Sequence, residues 1–192
     1  MVYTICSTIL RILYVFLFRL KAVGKEHVPE QGGVLLCSNH ISNLDPPTVG
    51  ILLNRKVRFM AKEELFKVPV LGPLIRQLGA YPVKRGGVSK ESIKTSLLIL
   101  REGGVLGIFP EGSRNAGDAA AKNGAASFAL RTDAAVVPVA IVGQYKLFGK
   151  TKVVYGPPIN LDDYRGKGAI GTVDEATDKI MLAIRQLIQE NQ

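Results

Sequence analysis

Apolar residues fall along this chain in two patterns. Short, mostly apolar runs have strand length: Val34-Leu35-Leu36-Cys37, Val57-Arg58-Phe59-Met60, Ala80-Tyr81-Pro82-Val83, Val105 to Phe109, Val136 to Val142 and Lys152 to Tyr155. Pro82 predicts an edge strand or an irregularity, because it cannot donate to a ladder. Elsewhere apolar positions recur every three or four residues. Ile93, Leu97 and Leu100 share one face of a helix predicted from Ser89 to Arg101, stopped by Gly103-Gly104. Thr172 and Glu175 form a capping box for a last helix with Ile180, Ala183, Ile184 and Leu187 inward. Asp45-Pro46-Pro47 predicts a helix start, with aspartate as N-cap and proline at the first helical position. Gly24 to Gly33 is a polar connector. Strands alternating with helices predict an α/β fold: a single-domain sandwich with a largely parallel mixed sheet flanked by helices.

The amino-terminal pattern differs. Ile5 to Phe18 is apolar apart from Arg11 and a few small polar residues. A helix over residues 1–21 would be roughly 30 Å long, enough to cross a bilayer. A central arginine costs about 2.5–3.5 kcal/mol on insertion scales, which disfavours spanning. On a helix, Thr4, Ser7, Thr8 and Arg11 share one side against Ile5, Ile9, Ile12, Leu13 and Phe16, and Arg19 and Lys21 follow at head-group level. The pattern fits a helix lying in the membrane interface. A terminal helix packed on the core is the alternative. We therefore divide the chain into a membrane-interface helix, 1–22, and a main α/β domain, 23–192. With no basic stretch before the apolar part and no A-x-A site after it, no cleaved signal peptide is expected.

Charge changes the picture in one respect. The chain of 192 residues carries a net charge of +9, and its mean hydropathy is +0.18. Between residues 55 and 101, eleven cations stand against three carboxylates. Such a balance suits an anionic membrane surface, a phosphate substrate, an acidic carrier or nucleic acid. Tryptophan is missing and no RNA-binding aromatic motif stands out, which counts against nucleic acid. Cys6 and Cys37 make no disulfide framework, and two histidines exclude a His-rich metal site.

Two segments carry candidate chemistry. In Asn39-His40-Ile41-Ser42-Asn43-Leu44-Asp45, a histidine follows a strand and a carboxylate stands five residues on. Activation of a hydroxyl needs a base for its proton, and neutral histidine suits that task. A carboxylate on the other ring nitrogen fixes the tautomer. Asp45 before two prolines is also a good cap without any catalytic role. Cys37 could form a Cys–His pair, but its apolar strand favours a core position. Phe109-Pro110-Glu111-Gly112-Ser113-Arg114 follows a second strand. Arg114 offers a forked donor for a phosphate, Gly112 lets backbone N–H groups approach an anion, and Glu111 could bond a hydroxyl. An exposed turn with a Glu–Arg pair is the plain alternative. Ser113 is no nucleophile elbow, because Gly-x-Ser-x-Gly does not occur.

The two segments, in this order and about seventy residues apart, resemble the HxxxxD and FPEG[ST]R motifs of the glycerolipid acyltransferases. The resemblance extends over Gly24 to Tyr164. Ala61-Lys62-Glu63-Glu64-Leu65-Phe66 is similar to a segment after the first block, and Gly79 to Arg85 to the second block. Lys122-Asn123-Gly124-Ala125-Ala126 is similar to a lysine–glycine element, and Val136-Val137-Pro138-Val139 to the fourth block. The resemblance implies His40 and Asp45 as catalytic pair. It implies Arg85, Glu111, Gly112, Ser113, Arg114, Lys62 and Lys122 as substrate-binding residues, with Arg85 holding an acceptor phosphate. It also implies lysophosphatidic acid as acceptor, acyl-CoA or acyl carrier protein as donor, no metal or cofactor, and attachment to the cytoplasmic face of an anionic membrane. Lys84 departs from the acidic or amide residue of many relatives. Acylation of another lysolipid or of glycerol 3-phosphate shares the motifs. A basic membrane- or nucleic-acid-binding module is the alternative of a different class.

Overall fold

The computed structural model describes residues 2–83, 89–110, 123–166 and 168–192. Seven strands form one sheet: β1 (Lys21–Val23), β2 (Val34–Ser38), β3 (Val57–Lys62), β4 (Ala80–Val83), β5 (Val105–Ile108), β6 (Ala135–Gly143) and β7 (Thr151–Tyr155). Their order is β1-β7-β6-β2-β5-β3-β4. Only the β6–β7 pair is antiparallel among the described strands, so the sheet is mixed and largely parallel. The α-helices among the described residues are α1 (Val2–Phe18), α2 (Asp45–Gly50), α3 (Leu71–Gln77), α4 (Lys90–Arg101), α5 (Gly124–Leu130) and α6 (Val173–Glu190).

Strand side chains alternate between two cores, as the period of two requires. Leu35, Cys37, Leu106, Ile108 and Val136 meet α4, α5 and α6 on one face. Val34, Leu36, Val105, Val137, Val139 and Ile141 meet Tyr14 of α1 and Val49 of α2 on the other. The result is the expected α/β sandwich, a mixed sheet flanked by helices. Parallel strands buried on both faces explain why these runs read as continuously apolar. Thr172 and Glu175 cap α6 reciprocally, and β4 with Pro82 is an edge strand. Three elements left no periodic signal in the sequence: the three-residue β1 and the seven-residue α3 and α5.

The aspartate cap is not found. Asp45 is the first residue of α2, Leu44 occupies the cap position, and no side chain caps the helix. The Asp45 carboxylate instead reaches back over the preceding turn.

Helix α1 lies on the sandwich with its apolar row outward. Ile5, Ile9, Ile12 and Phe16 are 54%, 53%, 63% and 68% exposed. The inner row is Leu10, Tyr14 and Phe18, packed on the core. Arg11 bends toward the protein: its Nε donates to the Ile51 carbonyl at 2.8 Å. Ile51 ends α2, so a cation sits where the last carbonyls of that helix need one. No helix among the described residues is long and apolar enough to cross a membrane.

Candidate active site

Strands β2, β3, β5 and β6 run parallel, so their carboxyl ends share one edge. Ligands of open α/β sheets collect at that edge. The first residue beyond β2, Asn39, is pinned to β6. Its Nδ2 donates to the Ile141 carbonyl at 3.0 Å, and its Oδ1 accepts from the Ile141 N–H at 2.7 Å. This pair of hydrogen bonds extends the ladder by one side chain and fixes where His40 leaves the sheet.

The turn His40 to Leu44 closes on Asp45. Oδ2 of Asp45 accepts from Ile41 N–H at 2.6 Å and Ser42 N–H at 2.7 Å, and His40 Nδ1 lies 2.6 Å from the same oxygen. Oδ1 accepts from the Tyr145 hydroxyl at 2.8 Å. Four donors converge on a carboxylate that is fully buried, which satisfies a group that would otherwise be costly to bury. Because the carboxylate accepts, the Nδ1 proton belongs to histidine, and Nε2 is left as the basic nitrogen. The His40 side chain is 18% exposed.

Tyr145 carries no motif signal. It lies two residues beyond β6, at the same sheet edge, and its hydroxyl also lies 2.8 Å from Thr48 Oγ1. Burial, with the Asp45 charge beside it, pushes the Tyr145 hydroxyl well above the usual tyrosine range and keeps it a donor. Its ring meets Phe18 of α1 edge-on at 5.4 Å. Tyr14 of α1 donates toward the Leu44 carbonyl at 3.5 Å, and burial followed by the Asp45 charge raises its hydroxyl to about 12. The helix carrying the outward apolar row is therefore in contact with the turn that carries the dyad.

Phe109 stacks on the His40 ring, with centroids 4.2 Å apart and planes 18° from parallel. Phe59 lies beyond it at 5.9 Å. The stack needs Gly107, because a Cβ there would run into the Phe59 ring. The start of the second motif thus lies against the histidine of the first. Lys62 ends β3, exposed, at the same edge. Arg85, Glu111, Gly112, Ser113, Arg114 and Lys122 lie outside the described residues. Cys37 is fully buried within β2 among the residues facing α4 and α6, and burial pushes its thiol far up, so it is a core residue rather than a nucleophile.

A family model described as Acyltransferase matches residues 19–142. Over 168 residues the chain is 33% identical to a 1-acyl-sn-glycerol-3-phosphate acyltransferase of Bacillus subtilis, covering 84% of each. It is 27% identical over 136 residues to a protein of the same name from Borreliella burgdorferi, covering 69% of this chain and 54% of that one. The crystal structure of the 1-acyl-sn-glycerophosphate acyltransferase PlsC from Thermotoga maritima superposes with a TM-score of 0.73 at 19% identity, over 99% of this chain and 80% of the other. That match speaks to the fold.

Proposed function

The chain belongs to the acyltransferase family, and from that premise we propose that it moves a fatty acyl group from an acyl thioester to the free hydroxyl of 1-acylglycerol 3-phosphate, giving phosphatidic acid. The observation that carries the proposal is the 2.6 Å contact between His40 Nδ1 and Asp45, which commits one ring nitrogen and leaves Nε2 for the acceptor. The similarity to the Bacillus subtilis enzyme supports the choice of acceptor.

In this mechanism the acceptor hydroxyl gives its proton to His40 Nε2 as its oxygen attacks the thioester carbonyl. Asp45 steadies the imidazolium that forms. The carbon–sulfur bond then breaks, and the thiolate leaves with the proton from His40 as a thiol. No covalent acyl-enzyme is needed. Arg85 and Arg114 hold the acceptor phosphate, Glu111 and the Gly112-Ser113 turn hold its glycerol part, and Lys62 and Lys122 add positive charge for the phosphate groups of acceptor and donor. Residues 1–22 dock residues 23–192 as a peripheral or monotopic protein on the cytoplasmic face of an anionic membrane. The outward Ile5, Ile9, Ile12 and Phe16 support that placement.

The test is a panel of lysolipids and glycerol 3-phosphate, each offered with acyl-CoA and with acyl carrier protein thioesters to the purified protein in detergent. Fastest turnover with 1-acylglycerol 3-phosphate is expected. Preference for another acceptor would reassign the substrate, and no acyl transfer with any pair would overturn the enzyme. Replacing Arg85 or Arg114 should raise the KM for acceptor more than for donor, with lysine a poor substitute for a bidentate contact.

A further inference from the structure

The loop between β6 and β7, residues 144–150, faces two ways. Tyr145 turns inward to Asp45. Leu147 and Phe148 turn outward, 64% and 57% exposed. Phe148 adopts φ 59°, a left-handed conformation that costs an L-residue about 1–2 kcal/mol. The fold maintains it through two contacts with α1. The Phe148 N–H donates to the Leu17 carbonyl at 2.6 Å, and its ring meets Phe16 edge-on at 5.8 Å, 85° between planes. The strained tip thus continues the outward row of α1 past its carboxyl end, from Ile12 and Phe16 to Phe148.

Charge identifies the occupant of this surface. Residues 1–25 hold no carboxylate, nor do residues 134–161. Arg19, Lys21, Lys146 and Lys150 are all exposed around the apolar tip. An apolar ridge beside four exposed cations matches an anionic bilayer, whose acyl boundary takes the ridge and whose phosphates take the cations. Resting on the membrane placement given above, we propose that loop 144–150 is a second bilayer-docking element, which inserts Leu147 and Phe148 beside Phe16 while Lys146 and Lys150 meet lipid phosphates. Docking at a helix and at a loop beyond its carboxyl end lengthens the inserted row and so fixes the tilt of the helix axis against the bilayer. The loop also sets the depth of the dyad, because Tyr145 stands two residues before Leu147 and is bonded to Asp45.

The chain has no tryptophan, so a single inserted one reports without background. F148W and I12W, each in the full chain, are mixed with phosphatidylglycerol–phosphatidylcholine vesicles whose acyl chains are brominated. Both indoles should shift to the blue and be quenched by bromine. Quenching of I12W with an unshifted, unquenched F148W overturns the loop element while helix docking stands. If neither is quenched, membrane docking falls altogether, and acyl transfer in detergent still reports separately on the enzyme. A blue shift of F148W that grows with protein concentration in lipid-free buffer assigns the ridge to self-association and overturns the proposal. In parallel, L147S/F148S, checked for an unchanged thermal midpoint, should lower the vesicle partition coefficient by about tenfold. An unchanged coefficient also overturns it.

Discussion

The dyad corner and the outer face of α1 both break the ordinary rule of a water-soluble surface, in opposite senses. At the corner a carboxylate is fully buried, and four donors inside the same chain satisfy it. On α1 apolar side chains stand more than half exposed, and nothing described in the chain covers them. Burying a polar group is tolerable once its hydrogen bonds are complete. Exposing an apolar row has no such remedy among the described residues, and the membrane docking proposed above would complete that face. On the proposed function the corner is therefore self-contained, whereas the helix face is half of an interface with the bilayer. The two meet where Phe18 touches Tyr145. Substitutions at the corner should act whatever carries the lipid, and those on the helix should act through the carrier.

The largest effect is expected at the corner. His40→Ala should lower turnover at least about a hundredfold, equally on vesicle-borne and detergent-dispersed acceptor. A folded variant with near-normal turnover would remove histidine from the mechanism. Asp45→Asn should also slow turnover and lower stability, since an amide cannot accept from all four donors, and each charge-assisted bond is worth about 1.5–3 kcal/mol.

Tyr145→Phe should come next. It keeps the ring against Phe18 and removes one donor from Asp45 Oδ1. Turnover should fall roughly tenfold or less, the scale of part of one hydrogen bond to a charge. The lost donor concentrates negative charge on Asp45, which favours the imidazolium. The acidic limb of the kcat/KM profile should therefore move to higher pH. A slower enzyme with an unmoved limb would make Tyr145 a packing residue and nothing more.

The relation between the two regions also explains what could be read from the sequence. The sandwich was legible because its central strands β2, β5 and β6 lie between helical layers and read as unbroken apolar runs. His40 and Asp45 were legible because one local turn holds them. Asp45 was misplaced as a helix cap for the same reason: an aspartate before two prolines has cap-like surroundings, and only the folded turn shows its oxygens taken by Ile41, Ser42 and His40. Tyr145 lies 100 residues from Asp45 and was out of reach of any spacing rule. Its place just past β6 becomes a signal only when β6 is known to lie beside β2. The outward row of α1 was visible as a helical stripe. The sequence could not tell that Arg11 on its other side serves the end of α2.

The helix face should yield a smaller, carrier-dependent effect. Removing residues 1–21 would also strip Tyr14 and Phe18 from the core, so surface changes are the cleaner test. Ile9→Ser and Ile12→Ser together should weaken binding to anionic vesicles and slow turnover on vesicle-borne acceptor several-fold more than on a detergent-dispersed one. Each side chain contributes about 1.5–3 kcal/mol when fully buried, and only part of that at an interface. Equal slowing in both assays would make the row a structural element of the enzyme and undo the distinction between the regions.

The smallest effect, nil at neutral pH, sits at the seam between the two regions. Burial first, and the Asp45 charge second, raises the Tyr14 hydroxyl to about 12; Tyr145 is raised further, chiefly by burial. Burial also raises Tyr81, away from the seam, to about 12. In the unfolded chain each would titrate near 10. Above that pH the folded protein binds more protons than the unfolded one, so stability must fall as pH rises. Below pH 10 both states keep these protons, and nothing is lost. Urea midpoints should therefore be level with respect to these groups from pH 8 to 9.5 and drop by pH 11. Tyr145→Phe removes one such proton and should flatten the alkaline slope by up to about 1.4 kcal/mol per pH unit. If its slope matches that of the unaltered protein, the Tyr145 hydroxyl titrates alike in both states, and the tight bond between the seam and Asp45 is not maintained in solution.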